Sequence, residues 1–321
     1  MSHRAKVWTA LWTVYLIWGS TYLGIELTGE TIPPLFAVAV RFIVAGALMA
    51  GWVAWRRGAH VLRVRPAELA AAVLVGLLLP GANAALFVAE RHVATGLASL
   101  IIGAVPLWVV VLRIATRERP DLLSVAGVAV GFAGVALLVR PGGHGGTLGG
   151  LLLVLLSSLM WAVGSFVSAR VPMPADAFAA TAFEMLAGGF ALLPIGVLAY
   201  APHEFDPARF SARSIGGFWY LVVFGSLVGY TAYAWLLANA PIGQVSTYAY
   251  VNPVVAIALG ALVLDEALTW RIVVGAIVIL ASVALVIRRE SERDVAAAGE
   301  SIAGAAAPPS AADASNGVSR R

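Results

Sequence analysis

Ten long apolar runs make up most of this 321-residue chain and leave few folds open to it. They cover residues 8–26, 35–55, 69–89, 94–113, 121–139, 148–169, 178–199, 215–236, 243–263 and 270–287. A helix of roughly 20 residues crosses a bilayer core of about 30 Å. Spanning strands are excluded because the apolar residues are continuous and do not alternate. The runs therefore predict an all-α polytopic membrane protein with ten transmembrane helices.

The composition excludes several other classes of protein. Apolar residues make up 60% of the chain and charged residues 12%, whereas a soluble domain has about 45–50% and about 25%. A soluble enzyme, a disordered protein and a nucleic-acid-binding domain are therefore excluded. The chain has no cysteine and five histidines without metal-ligand spacing, and it carries no P-loop. We expect no metal, no cofactor and no use of ATP.

The basic residues predict the orientation in the membrane. If the N-terminus is cytoplasmic, fifteen Lys and Arg residues fall in cytoplasmic segments and five in outside loops. Because short cytoplasmic loops are enriched in Lys and Arg, we expect a multi-pass protein of the bacterial inner membrane with both termini in the cytoplasm. Residues 290–321 are rich in Ala, Gly, Ser and Pro and predict a disordered cytoplasmic tail.

An internal repeat divides the chain into two domains, residues 8–140 and 148–289. Landmark residues recur 142–148 positions later. The pairs are Trp18 with Trp161, Gly46 with Gly188, Gly96 with Gly243, Pro106 with Pro253, and Glu118 with Glu266. Each half holds five helices, and because five is odd the second half is inverted relative to the first. Inverted repeats are typical of secondary transporters, whose binding site lies near the midplane between the halves.

Four segments resemble the EamA-type transporters of the drug/metabolite transporter superfamily. They are WGSTYLGIE, PPLFAVAVRFIVAGAL, SLIIGAVPLW and YAYVNPVVAIALGALVLDEAL. The resemblance covers about residues 8–289. It implies two inverted five-helix EamA repeats and export of metabolites, amino acids or drugs. It also implies a central cavity surrounded by helices 1, 3, 4, 6, 8 and 9, with helices 5 and 10 packed behind them.

Polar and aromatic residues in mid-helix positions are candidates for lining that cavity. Trp18 and Trp161 are repeat-related and lie far from the interfacial positions that Trp prefers. Ser99 and Ser246 each precede a repeat-related proline by seven residues. The predicted cavity residues are Trp18, Asn83, Ser99, Trp161, Ser165, Tyr230, Tyr233, Ser246 and Tyr250. Aromatic walls with a few polar groups suit amphipathic or cationic organic solutes. Ordinary core packing is the alternative for each residue.

Pro106 and Pro253 predict helix breaks at matching places in the two halves. Proline removes a backbone N–H and clashes with the preceding turn. Discontinuous helices near the midplane mark binding sites in transporters. A simple packing kink is the alternative.

Two intramembrane charges are candidates for coupling or gating. Arg41 lies about 9 Å into helix 2 at about 1.5 Å per residue, and Glu184 lies at the mirrored depth in helix 7. An intramembrane charge is a functional hypothesis by default. For Arg41 the alternatives are an ion pair with Glu26 or snorkelling to the headgroups. For Glu184, a proton-coupling candidate, they are a pair with Arg170 or Arg213, or exposure at the interface.

A stripe of small residues on helix 5 predicts close packing. Gly127, Gly131 and Gly134 follow the spacing that lets two helices approach. The stripe serves either a neighbouring helix of the same chain or a homodimer.

Taken together, these features predict a secondary transporter of small organic solutes that works by alternating access, either proton-coupled or facilitative. Its partners are a small-molecule substrate and the lipid bilayer, with no nucleic acid. The alternative is a polytopic membrane enzyme or lipid-modifying protein. Such an enzyme would need a polar catalytic cluster, and the only candidate is the group of Arg41, Glu26, Glu90 and His92 on the outer side.

Overall fold

The computed structural model describes residues 1–138, 146–200 and 205–306, and this part of the chain is helical throughout its regular structure. An isolated bridge between Val93 and Gly146 is the only β pairing within those ranges. The helices are α1 (His3–Gly29), α2 (Pro34–Arg57), α3 (Pro66–Glu90), α4 (Thr95–Ile102), α5 (Val105–Ala115), α6 (Leu122–Leu138), α7 (Leu148–Ser168), α8 (Ala177–Leu198), α9 (Ala212–Tyr220), α10 (Gly229–Asn239), α11 (Ile242–Val245), α12 (Tyr248–Val263) and α13 (Trp270–Ala306). A π-helical segment, Leu221–Val228, joins α9 to α10.

Seven helical stretches among the described residues are long and apolar enough to cross a membrane, which confirms the membrane character of the chain. α4 and α5 together make one of them, Thr95–Ala115, and α9 with the π segment and part of α10 makes another, Ala212–Leu237. Two shorter apolar helices, α6 and α12, lie among them. α1 is not in the group of seven because its Trp, Thr, Tyr and Gly residues lower its mean hydropathy. The number ten stays a prediction.

The two predicted helix breaks differ. In the first half the helix ends at Ile102 and restarts at Val105, so Pro106 occupies the first turn of α5, where a missing N–H costs little. In the second half Pro253 lies inside α12, and the break falls earlier, between Val245 and Tyr248. The prediction of a break at Pro253 itself is therefore wrong by about two helical turns.

Close glycine contacts hold the helices of the two halves together. α2 packs against α8, where a Cβ atom at Gly46 would lie 3.1 Å from the carbonyl oxygen of Ala182. The predicted stripe on α6 packs against α13: a Cβ at Gly127 would meet Val286 at 3.0 Å, and one at Gly134 would meet Val278 at 2.9 Å. The stripe thus serves a contact within the chain, at helices 5 and 10 of the predicted order.

The end of the chain differs from its prediction. α13 continues past Arg289 to Ala306, so residues 290–306 are helical and the predicted disorder is wrong there. Alanine is the strongest helix former, and Val295–Gly299 contains three alanines in succession. The rest of the tail, 307–321, and the linker between the repeats, 139–145, lie outside the described residues.

Candidate substrate cavity

A cavity of about 110 Å³ lies between the two halves of the protein and is lined by both. The first half contributes residues from α1, α2, α3, α4 and α5. The second contributes residues from α7, the π segment, α10 and α12. In span order these are helices 1, 3, 4, 6, 8 and 9, as the resemblance implied, with α2 in addition. Neither α6 nor α13 supplies a lining residue.

The structure brings eight of the predicted site residues to this cavity and leaves five away from it. The lining includes Trp18, Asn83, Ser99, Trp161, Tyr230, Arg41, Pro106 and Pro253. The residues that do not line it are Ser165, Tyr233, Ser246, Tyr250 and Glu184. The break between α11 and α12 explains why Ser246 does not line the cavity, because Ser246 falls in the turn before α12. Tyr248 and Asn252, one helical turn apart, line the cavity in place of Ser246 and Tyr250.

Trp18, which lines the cavity, is the centre of an aromatic cluster. Its ring lies 5.3 Å from Tyr230, 5.0 Å from Tyr233 and 5.3 Å from Tyr248, centroid to centroid. Its indole N–H donates to the carbonyl oxygen of Gly225 at 3.2 Å. Because these contacts fix the ring, Trp18 forms a rigid part of the cavity wall. Tyr233 packs against Trp18 but does not itself line the cavity.

The serine hydroxyls on the cavity are already engaged. Ser99 donates to the carbonyl of Gly96 at 2.7 Å, and Ser157 donates to the carbonyl of Ala82 at 2.7 Å. Ser99 therefore pairs with the backbone of its own helix, as serine often does in helices. Asn83 also donates to its own helix, at the carbonyl of Leu79 (3.2 Å). The hydrogen-bonding groups that remain available to a solute therefore belong mainly to other residues of the cavity lining.

Arg41 is such a residue, and neither alternative predicted for it is seen. It is 4% exposed and its Nε donates to the Ser226 hydroxyl at 3.0 Å. No carboxylate of a described residue lies within 4.0 Å of it, so the predicted ion pair with Glu26 is absent from this structure. Snorkelling is wrong because the side chain lines the central cavity.

The π segment supplies both partners that hold Trp18 and Arg41. Gly225 offers its carbonyl to Trp18 and Ser226 its hydroxyl to Arg41, and the two residues lie in the middle of Leu221–Val228. Short π stretches inside helices occur often at functional sites. The sequence gives no signal for this segment beyond its single glycine, Gly225.

Glu184 lies on α8 and does not line the cavity. It is partly buried on α8, where its backbone lies against Gly76 of α3. The predicted partners are both taken: Arg170 binds Glu118 at 2.5 Å, and Arg213 binds Glu30 at 3.2 Å. A role for Glu184 in proton coupling stays a prediction.

A second region of charge lies at the start of α4. The carboxylate of Glu266 accepts the backbone N–H groups of Thr95 at 2.6 Å and Gly96 at 3.0 Å. Its repeat counterpart Glu118 instead binds Arg113 at 2.6 Å and Arg170. Those two hydrogen-bonding arginines lower the pKa of Glu118, which lies outside the spans. The two halves therefore use equivalent glutamates differently.

Two stretches of the chain, residues 7–140 and 148–288, match the EamA-like transporter family. The chain belongs to this family. The two matches coincide with the two repeats found in the sequence. They confirm the resemblance to EamA-type proteins of the drug/metabolite transporter superfamily.

Relatives from distant organisms resemble the chain over most of its length. It is 36% identical to YedA, an uncharacterized inner membrane transporter of Escherichia coli strain K12, over 78% of this chain and 80% of that one. It is 26% identical to the uncharacterized transporter YvbV of Bacillus subtilis over 93% and 98%. A WAT1-related chloroplastic protein of Arabidopsis thaliana is 27% identical over 87% and 69%.

A solved crystal structure has the same fold. It superposes with a TM-score of 0.60 over 87% of this chain and 96% of that one, at 21% identity. The family and the relatives named as transporters point to a membrane transporter and away from an enzyme, and YedA is a protein of the inner membrane.

Proposed function

We propose that this EamA-family protein is a secondary transporter that moves small organic solutes across the bacterial inner membrane by alternating access. The observation that carries the proposal is the cavity that both repeats line. In an inverted-repeat protein a site between the halves can open to either side when one half tilts against the other. Both termini lie in the cytoplasm in this proposal, as the distribution of basic residues predicts.

The cavity has the chemistry of a binding site for an organic solute. Its walls are mainly aromatic and aliphatic, with a few polar groups placed among them, which is typical of small-molecule sites. One freed carbonyl adds a polar site, because Pro253 inside α12 gives no N–H to the carbonyl of Ala249. Both residues line the cavity.

Solute uptake into inside-out membrane vesicles tests the proposal. Vesicles that contain the protein should accumulate at least one solute of a panel of amino acids, organic acids, purine metabolites and cationic dyes, and the uptake should saturate. Vesicles prepared without the protein are the control. Equal uptake in both preparations for every solute would contradict the proposal.

Proton coupling through Glu184 is the finer proposal. Glu184→Gln keeps the size of the side chain and cannot release a proton, so uptake driven by an imposed pH gradient should be lost while solute counterflow persists. Glu30→Gln, which removes an interfacial carboxylate, is the matched control and should retain both activities. Retention of gradient-driven uptake in Glu184→Gln would reject this coupling role.

A further inference from the structure

We propose that Arg41 binds a carboxylate of the transported solute, so that this protein accepts organic anions with an aromatic or apolar body and rejects cations. The inference rests on the proposed transport function and names the class of solute that the cavity takes. It starts from one observation: Arg41 is buried, lines the cavity and has a guanidinium nitrogen, Nη1, without a hydrogen-bond partner among the described residues.

The guanidinium has more donors than the protein uses. An arginine side chain carries five N–H donors in a planar fork. Ser226 accepts one of them, from Nε. Buried polar atoms in proteins are nearly always paired, and an exception calls for an explanation. A carboxylate is the acceptor that matches the arginine fork in geometry and charge, because it can take two parallel hydrogen bonds.

The charge of Arg41 is not neutralised by the walls of the cavity. It is the only charged side chain among the lining residues that the structure describes. Burying an unpaired charge is costly in any protein and especially in a membrane. A bound anion would offset this cost, whereas a bound cation would add to it. This argues against the cationic solutes that the aromatic walls alone had favoured.

The surroundings keep the guanidinium in place. A Cβ atom at Gly225 would lie 3.2 Å from Nη2 of Arg41, so this glycine leaves the space that the fork occupies. The hydrogen bond that Arg41 Nε donates to Ser226, a residue of the same π segment, sets the angle of the fork. The rings of Trp18, Trp161 and Tyr230 line the same cavity and offer surface to the body of the solute.

Three probes of one shape separate the chemistries. Phenylalanine carries both charges, 3-phenylpropionate lacks its ammonium group, and phenethylamine lacks its carboxylate. Their affinities for the purified full-length protein in detergent would be measured by calorimetry and by the change in tryptophan fluorescence. We expect 3-phenylpropionate to bind and phenethylamine to bind at least tenfold more weakly, or not at all.

The variant Arg41→Gln should weaken 3-phenylpropionate binding at least tenfold, as is typical for loss of a hydrogen bond to a charged group. It should not weaken phenethylamine binding. Arg41→Lys keeps the charge without the fork and should give an intermediate affinity, which keeps the test open if Arg41→Gln does not fold. Ser226→Ala is the matched control, because it removes the hydrogen bond to Nε and leaves the charge. Its affinity for the anion should fall less than that of Arg41→Gln.

Three results would overturn the inference: absence of 3-phenylpropionate binding to the natural protein, tighter binding of phenethylamine than of the anion, or unchanged anion affinity in a folded Arg41→Gln or Arg41→Lys. Any of these would leave the proposed transport function standing if vesicle uptake of another solute is saturable. Loss of all uptake would instead overturn the proposed function.

Discussion

Glu266 joins the loop before α13 to the start of α4, and we expect its removal to loosen this contact. Its carboxylate accepts two backbone N–H groups that α4 cannot pair internally, at 2.6 and 3.0 Å, and Thr95 is only 1% exposed. Leaving two such donors unpaired costs about 1–3 kcal/mol each, and loss of a negative charge at a helix N-terminus adds about 0.3–1 kcal/mol. Because water can reach part of the site in the variant, we expect Glu266→Ala to lower the free energy of unfolding by about 2–4 kcal/mol. Glu266→Gln, which keeps one acceptor, should lose about half of that.

Two assays check this prediction. Chemical denaturation in detergent measures the stability, and a single cysteine at Ala94 reports the local opening, since the chain has no cysteine of its own. A membrane-impermeant maleimide should label Ala94→Cys faster when Glu266→Ala is also present. Asp265→Asn is the matched control, because it removes the neighbouring exposed carboxylate at a positive φ of 54° that Asn tolerates. If Glu266→Ala matches Asp265→Asn in both assays, the carboxylate does not hold α4 and the reasoning is refuted.

Three further predictions concern the cavity, pH and topology. Trp161→Ala should weaken 3-phenylpropionate binding about tenfold and Trp161→Phe should recover part of it; a lower melting temperature with unchanged affinity would show that Trp161 only packs. Because the pKa of Glu118 is lowered by Arg113 and Arg170, its contribution to stability is present above the usual pKa of a glutamate and is lost as the pH falls through the lowered value. Between pH 7 and 3 the melting temperature should therefore fall more in the natural protein than in Glu118→Gln, since the other carboxylates titrate in both. Because the C-terminus is predicted to be cytoplasmic, a green fluorescent protein fused after Arg321 should fluoresce and an alkaline phosphatase fused there should be inactive. The reverse result would show that the C-terminus lies on the outside.

The membrane fold and the two repeats could be predicted because they depend on features that recur over many residues. Hydropathy sums over about 20 positions per span, and the repeat rests on several landmarks in the same order. The family match to residues 7–140 and 148–288 follows the same division. The close packing at the glycine stripe on α6 could also be predicted, since two helices approach closely where small residues recur at regular spacing.

Individual cavity residues were harder to predict because they depend on the phase of single helices. Ser246 and Tyr250 were predicted to line the cavity, but the break between Val245 and Tyr248 leaves Ser246 in a turn. Tyr248 and Asn252 line the cavity instead. Tyr22 and Asn252 line the cavity and were missed, since nothing in their local sequence separates them from core residues. Arg41 was found, but its surroundings depend on Ser226, a residue 185 positions away.

The π segment has a consequence for how the two copies of the repeat diverged. The spacing between equivalent residues grows from 142 at Gly46 and Gly188 to 147 at Gly96 and Gly243. The second copy is therefore five residues longer in an interval that contains both the connection 199–211 and the π segment Leu221–Val228. One residue added to a regular α-helix turns everything beyond it by about 100° and moves the downstream side chains to another face. A π segment absorbs an added residue locally. Tyr230 can then keep its face toward the cavity, while Gly225 and Ser226 reach Trp18 and Arg41. One residue added within this segment would give the second copy these polar contacts and leave the rest of the helix in the phase of its counterpart in the first copy.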